Sequence, residues 1–361
     1  MPESLWSRIA DLPLVIESHA LERLEAPGGL ERLTTHVRLR GRGAEGVGEE
    51  IGPLPEEHDA LAAAGPGLPL AGEWTLGAFV DHLAGVELWP APPRWEMGRR
   101  WRNWAFESAA LDLALRQAGL DLAGALGREP APIRFVNSLG LGSPPEVGAV
   151  GRRLERYPGL RFKLDAEASW SPELASQVAA TGAVDVIDFK GRYELPIEDE
   201  FALLAMYEAV LARFDGAILE DPHDRPDVAA LVAPHAARVS FDAPIATAAD
   251  VEAAAFGARI VNVKPSRIGS VRALLDVYAH CEAAGVRMYG GGMGELGAGR
   301  GQVQLLASLF HPDAPNDVAP SAYNLPDLPD GLPASPLPPP PRVPGFGWAS
   351  ASASASASAD R

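Results

Sequence analysis

The sequence predicts a (β/α) barrel preceded by a small α+β unit. Three observations carry that expectation. From Ile133 onward, eight short apolar runs of β type recur at intervals of 20 to 32 residues, and helical patterns fill the gaps between them. Acidic residues and lysines stand at the ends of consecutive runs, where a parallel barrel gathers the C-terminal ends of its strands at one mouth.

The first 95 or so residues mix short apolar runs with turn signals. Leu33 to Leu39 alternates like a strand, and Gly41 to Gly48 followed by Glu49-Glu50 predicts a hairpin turn into a second strand. Residues 98 to 127 change period: Ala105, Ala109, Leu111, Leu113, Leu115, Leu120 and Leu122 support a helix broken near Gly119 and ended by Gly127. Pro130-Ala131-Pro132 then marks a boundary, so residues 1–128 form one unit and 129–324 the barrel. Barrel strands are expected to begin near 133, 160, 184, 216, 238, 258, 286 and 317, with helices over Pro172 to Ala180, Asp199 to Phe214 and Ser270 to Gly285. After Tyr323 the chain turns proline-rich, which predicts extended backbone crossing a surface over 325–348. The Ser-Ala alternation of 349–361 is low in complexity and is expected to be disordered.

Composition narrows the partners. With 47% apolar residues and 361 in all, the chain reads as globular, and its formal charge of −17 argues against nucleic acid or an anionic membrane. No basic-then-apolar leader opens it and no run of about 18 apolar residues occurs, so a cytoplasmic protein is expected. The lone Cys281 sits in a helical pattern and reads as core. Composition is compatible with a homo-oligomer.

The lysines are more telling. Only three occur among 31 basic residues: Lys163, Lys190 and Lys264. Arginine replaces lysine readily on a surface but cannot serve as a proton acceptor, so lysines in an arginine-rich chain point to places where an amine is needed. Each ends an apolar run: R-F-K-L-D, V-I-D-F-K-G and V-N-V-K-P. Pro265 ends the last of these runs, the sixth expected strand, at Lys264, because proline pushes the preceding residue into an extended conformation and cannot donate to a ladder.

Residues two apart on a strand share a face, so the strand ends form one ring. It comprises Lys163 and Asp165, then Asp188 and Lys190, Glu220, Asp242 and Lys264. Such a concentration of charge requires pairing or a metal ion. Asp188, Glu220 and Asp242, on three successive strands, supply the hard oxygen ligands that Mg²⁺ prefers. His223 and Arg225, just beyond Glu220, are candidates to reach a substrate carboxylate. The Gly290-Gly291-Gly292 run offers backbone amides to an anion, without the lysine of a nucleotide loop.

Glu220-Asp221-Pro222 after one strand, Asp242 ending the next and K-P-S-R-I-G-S on the one after resemble the enolase superfamily, on its muconate-lactonizing and o-succinylbenzoate-synthase side. Asn103 to Leu115 resembles the helix preceding that family's barrel. Gly291 to Gly297 resembles its seventh-strand loop, with Glu295 at the substrate, and Arg342 to Gly347 its returning C-terminal segment. The resemblance implies a (β/α)7β barrel of the TIM type, capped by the N-terminal α+β domain together with the tail. It also implies one Mg²⁺ and removal of a proton beside the carboxylate of a small substrate, with Lys264 as base. Substrate identity would then depend on cap loops, suggested here as residues 14 to 30 and 44 to 56.

That chemistry has a physical basis. An α-proton beside a carboxylate is very weakly acidic, so charge must be stabilised as it develops while a tuned base takes the proton. The sequence departs from the family on the second strand, where K-x-K becomes Lys163-Leu164-Asp165, and on the third, where D-x-N becomes Asp188-Phe189-Lys190. Either Lys190 fills the space of the missing lysine, or Asp165 and Lys190 form a structural ion pair. In a second alignment, Asp165 to Trp170 (D-A-E-A-S-W) matches the family's third-strand D-A-N-x-x-W and makes Asp165 the first metal ligand, but it leaves one strand before Asp165. The expected function is Mg²⁺-assisted α-proton abstraction leading to lyase, cycloisomerase or epimerase chemistry. The catalytic candidates are Lys264, Lys163, Asp165 and Lys190. The alternative is a barrel that has lost catalysis and binds a ligand or partner.

Overall fold

The computed structural model describes residues 4–26, 32–193 and 199–348. The Ser-Ala tract lies outside the described residues, as do positions 27–30 of the first suggested substrate loop. The N-terminal part opens with β1 (Pro13–Ile16), β2 (Ser18–Glu25), β3 (Leu33–Gly41), β4 (Ala44–Glu50) and β5 (Gly72–Thr75). Strands β2, β3 and β4 form an antiparallel sheet in that order, and β1 pairs with β5. Both segments expected as substrate loops are therefore largely strand.

The hairpin turn is also shorter than Gly41 to Gly48. It is Arg42-Gly43 alone, with φ of 51° and 73°, values that suit the twist of a tight hairpin. Gly46 and Gly48 belong to β4, and their smallness serves packing. A Cβ at Gly48 would lie 1.9 Å from the Ala105 carbonyl oxygen, and one at Gly46 would lie 2.3 Å from that of Ala109. The helix Met97–Ala118 rests directly on this strand.

That helix is buried continuously from Trp104 to Leu115, too enclosed for an ordinary amphipathic pattern. It ends at Gly119 in a left-handed conformation, and a short helix Leu122–Leu126 follows before Gly127, as the sequence predicts. The chain then enters the barrel: β6 (Asn137–Leu139), β7 (Phe162–Asp165), β8 (Val184–Asp188), β9 (Ile218–Glu220), β10 (Val239–Phe241), β11 (Ile260–Val263) and β12 (Arg287–Gly290) form one parallel sheet in sequential order. Helices Pro172–Ala180, Glu200–Leu211 and Val271–Ala284 match the expected ones to within a few residues.

The eighth strand expected near 317 is reduced to two parallel bridges, Phe135 with Asn316 and Gly291 with Asp317. Pro315 and Pro320 flank it and remove ladder donors. The bridges nevertheless join the first and last strands, which closes the (β/α)7β ring.

The proline-rich segment returns across the molecule. Leu337 bridges Ile133, Gly345 bridges Asp121, and the backbone N–H of Phe346 donates to Asp112 Oδ1 at 2.7 Å. The Phe346 ring meets Trp104 edge-on at 6.2 Å, so the tail packs on the long helix. Among the described residues no helix is long and apolar enough to cross a membrane.

Candidate active site

Register decides which side chains meet. Asp165 on β7 pairs with Asp188 on β8, which pairs with Glu220 on β9, so three carboxylates sit at one level on adjacent strands. Lys163 reaches in beneath them: its ammonium lies 2.5 Å from Glu220 Oε1 and 3.1 Å from Asp188 Oδ2. Glu220 also accepts from Asn262 Nδ2 at 3.2 Å and, through Oε2, from the Tyr289 hydroxyl, which in turn meets Ser240 Oγ at 2.9 Å. Lys163, Asp188 and Glu220 are all essentially inaccessible to solvent.

On the far side, Lys264 ends β11, four strands from β7 in a ring of eight. Its ammonium is 2.8 Å from Asp242 Oδ2. Pro265 starts a helical turn, Pro265–Ile268, and on it Arg267, three residues after Lys264, points the same way, placing Nε 3.1 Å from Asp242 Oδ1. The guanidinium also donates to the Tyr193 hydroxyl at 2.7 Å, tying the loop after β8 to the loop after β11.

Burial and charge act against each other here. Burial opposes ionisation of Asp188, but the Lys163 and Lys190 ammoniums outweigh it and hold the carboxyl well below its usual range. Arg267 and Lys264 do the same for Asp242. Glu220 goes the other way, pushed up to about 8 by burial and by repulsion from Asp188. Asp221 is pushed up to about 6 by burial and by Asp242, although its two oxygens accept the backbone N–H groups of Asp242 and Ala243 at 2.8 Å each.

The structure places the remaining expected residues as follows. Lys190 hydrogen-bonds Asp188 Oδ2 and lies 3.2 Å from Asp165 Oδ1, so of the two alternatives the ion pair with Asp165 is present, and the same amine also reaches Asp188. Glu295 is buried, accepting from the Met293 N–H at 2.9 Å and facing Arg300 at 3.3 Å. His223 turns to the Tyr207 hydroxyl at 2.9 Å, and Arg225 is taken up at the surface by Asp227 and Glu200. The hydrogen bonds and ion pairs of these last three run to Met293, Arg300, Tyr207, Asp227 and Glu200, outside the lysine and carboxylate cluster.

Sequence reasoning missed Asp221, Arg267 and Tyr193. The first was legible in E-D-P as a second acid beside Glu220, and the second as a cation three residues after Lys264, one helical turn on. Nothing in the sequence signalled Tyr193.

The donor set suits a hard divalent cation. Glu220, Asp221 and Asp242 each offer an oxygen within 4.8 Å of the others, and all are buried. Asn262 Oδ1 is buried without a hydrogen-bond partner, and Asp242 Oδ1 is met by the Arg267 ion pair but accepts no hydrogen bond. Asp188 adjoins this group through Lys163, which it shares with Glu220.

Helix Met97–Ala118 supports the loop that carries Lys264 and Arg267. Asn103 Nδ2 donates to the Gly269 carbonyl and to Glu107 Oε1, each at 2.7 Å, while Glu107 Oε2 accepts from the Val271 N–H at 2.7 Å. Gly269 has φ of 83°, and a Cβ there would meet Arg100 at 2.6 Å, so a side chain is excluded twice over.

The comparisons with known proteins agree with this architecture. Residues 129–325 match the C-terminal domain, and 7–125 the N-terminal domain, of a family described as a domain of unknown function (DUF8230). An N-succinylamino acid racemase from Amycolatopsis sp is 31% identical over 235 residues, 62% of this chain and 61% of that protein. The chain thus spans about three fifths of that relative's length. A protein of the same name from Thermus thermophilus is 29% identical over 329 residues, covering 88% of this chain and 85% of that one. The muconate cycloisomerase structure from Pseudomonas fluorescens shares the fold, with a TM-score of 0.66 at 20% identity, covering 95% of this chain and 98% of the other.

Proposed function

The chain belongs to the DUF8230 family and to the enolase superfamily, on its muconate-lactonizing and o-succinylbenzoate-synthase side, and from that premise we propose that it is an enzyme removing the α-proton of a small carboxylate, with Lys264 as the base. The observation that carries this reading is the arrangement of amines around buried carboxylates. Lys264 and Arg267 converge on Asp242 on one wall, and Lys163 and Lys190 on Asp188 four and three strands away.

Each residue has a task in that reaction. Lys264 is nearly buried, at 7% exposure, so its amine meets a substrate in an environment that excludes most water. Its placement rests on Pro265, which ends the strand, and on the helix that holds Gly269 and Val271. Lys163 is locked by two carboxylates and keeps positive charge at the site where a substrate carboxylate would gain negative charge. Asp188, Glu220 and Asp242 would hold a Mg²⁺ ion, which would supply positive charge to the developing enolate; Glu220 and Asp242 already lie with Asp221 in one cluster of oxygens within 4.8 Å of one another, and Asp188 joins them through the ammonium of Lys163.

With aspartate at position 165, the strand that would bear a second lysine base has none, and this favours lyase or cycloisomerase chemistry over racemisation. Epimerisation would require Lys163, Lys190 or Asp165 to deliver the proton from the side opposite Lys264. The test is solvent-deuterium incorporation, with Mg²⁺, into a panel of N-succinyl and other N-acyl amino acids, dipeptides and sugar acids. Exchange at the α-carbon supports the enzyme. The second reading, a barrel that now only binds a ligand, is favoured by one observation: both oxygens of Asp188 are already taken by Lys190, its backbone N–H at 2.9 Å and its ammonium. No exchange across the panel would favour that reading.

A further inference from the structure

We propose that Lys190 is a tethered competitor for the divalent cation, its amine shared between Asp188 and Asp165 and moving wholly to Asp165 when a cation binds. The inference rests on the reading of Asp188, Glu220 and Asp242 as the metal ligands. It concerns what this chain does to that site, which the identity of the ligands alone does not determine.

The geometry around Asp188 is the starting point. Two ammonium groups share its Oδ2, those of Lys190 and of Lys163, the second at 3.1 Å. Its Oδ1 accepts the Lys190 backbone N–H at 2.9 Å. One residue thus covers both oxygens. A divalent cation on the same carboxylate would stand within contact range of two ammoniums, and in a site this dry like-charge repulsion is strong. One amine must leave.

The two amines differ in their freedom to do so. Lys163 is 1% exposed and is held by Glu220 as well as Asp188, so it has nowhere to go. The Lys190 side chain is 33% exposed and has a second acceptor at hand, Asp165 Oδ1 at 3.2 Å, on the neighbouring strand. A change of side-chain torsions exchanges one carboxylate for the other without moving the backbone.

The backbone is in fact fixed. Lys190 adopts φ of 52°, a left-handed conformation unusual for lysine, and the following Gly191 donates its N–H to the Asp221 carbonyl at 2.8 Å. A Cβ on Gly191 would lie 2.3 Å from the His223 nitrogen, so the turn is pressed against the loop after β9. This turn holds the Lys190 amine over Asp188 and Asp165 together. Transfer to Asp165 would also leave the amine on the second-strand carboxylate, facing the mouth from the side opposite Lys264.

The test is calorimetric titration of the full chain with MgCl₂ after chelation, comparing the wild type with Lys190→Asn, Lys190→Arg, Asp165→Asn and the double variant Lys190→Asn/Asp165→Asn. Lys190→Met, which fills a similar volume without charge, replaces the asparagine variant if that one does not fold. Removing the competing charge is expected to tighten Mg²⁺ binding by about ten-fold or more, while Lys190→Arg stays close to wild type. Asp165→Asn is expected to weaken binding in the wild-type background and to have no such effect once Lys190 is neutral. Equal, measurable affinity in the wild type and the neutral variant overturns the competitor and leaves the metal reading standing. An Asp165→Asn effect that is the same in both backgrounds overturns the transfer. Absence of Mg²⁺ binding in every variant overturns this inference and the metal reading together.

Discussion

The Glu107 carboxylate accepts the backbone N–H of Val271 at 2.7 Å, joining the long helix of the cap to the loop that follows Lys264. The same carboxylate is deeply buried, and burial pushes it up to about 7 despite the bonds from Val271, Asn103 and Ser270. Raised above its unfolded value, Glu107 favours the folded state at low pH. That contribution is complete below about pH 4.5 and is lost as the pH rises toward 7. Thermal stability measured between pH 5 and 7.5 should therefore fall in the wild type, and Glu107→Gln should flatten that slope. An unchanged slope in the variant would assign the pH dependence elsewhere.

Lys163 is the counter-charge of two buried carboxylates. Lys163→Met leaves Asp188 and Glu220 facing each other in a dry site, and losing one partner of a buried ion pair costs about 3–5 kcal/mol. Chemical denaturation in chelator should show a loss of that order. Adding Mg²⁺ should recover part of it, because the ion supplies the missing positive charge. A variant as stable as the wild type in chelator would show that the two acids relax apart.

Gly48 carries the contact between β4 and the long helix. Gly48→Ala places a Cβ 1.9 Å from the Ala105 carbonyl and 2.4 Å from Ser108 Oγ, so strand and helix must separate. A loss of about 1–3 kcal/mol is expected from overpacking. Gly43→Ala meets no neighbouring atom, and its cost, about 1 kcal/mol, comes from its left-handed backbone alone. Equal melting temperatures for the two variants would show that the strand and helix can separate freely.

Phe346 fixes the returning tail. Its ring is buried against Trp104, and Phe346→Ala should cost about 3 kcal/mol and open the tail to protease before the barrel. Simultaneous cleavage of tail and barrel would mean that the tail is no separate stabilising unit.

Much of this molecule was legible in its sequence, for identifiable reasons. The barrel could be read because each strand is short, apolar and followed by a helical pattern, and because Pro265 ends β11 at Lys264. Lys163, Asp165, Asp188 and Glu220 could be placed because strand periodicity fixes which positions share a face, and Asp242 and Lys264 because they directly follow strands of the same sheet, whereas Lys190 lies past β8 in a left-handed turn that periodicity does not describe. Gly46 and Gly48 misled, since a glycine admitted for the close approach of a helix looks the same in sequence as one admitted for a turn. The weakness of the eighth strand could have been read from Pro315 and Pro320, which flank it, whereas the Tyr193–Arg267 bond was not legible, because it joins segments brought together only by closure of the ring.

The assignment of Lys264 as the base is tested most directly by α-proton exchange. The wild type and Lys264→Ala are incubated in deuterium oxide with Mg²⁺ and the N-acyl amino acid panel, and the α-carbon signal is followed by proton NMR. Circular dichroism and melting temperature establish that both proteins are folded. The wild type is expected to exchange the α-proton of at least one carboxylate in the panel, and Lys264→Ala to lose that exchange by about a thousand-fold or more. Exchange that persists undiminished in a folded Lys264→Ala protein would contradict the assignment.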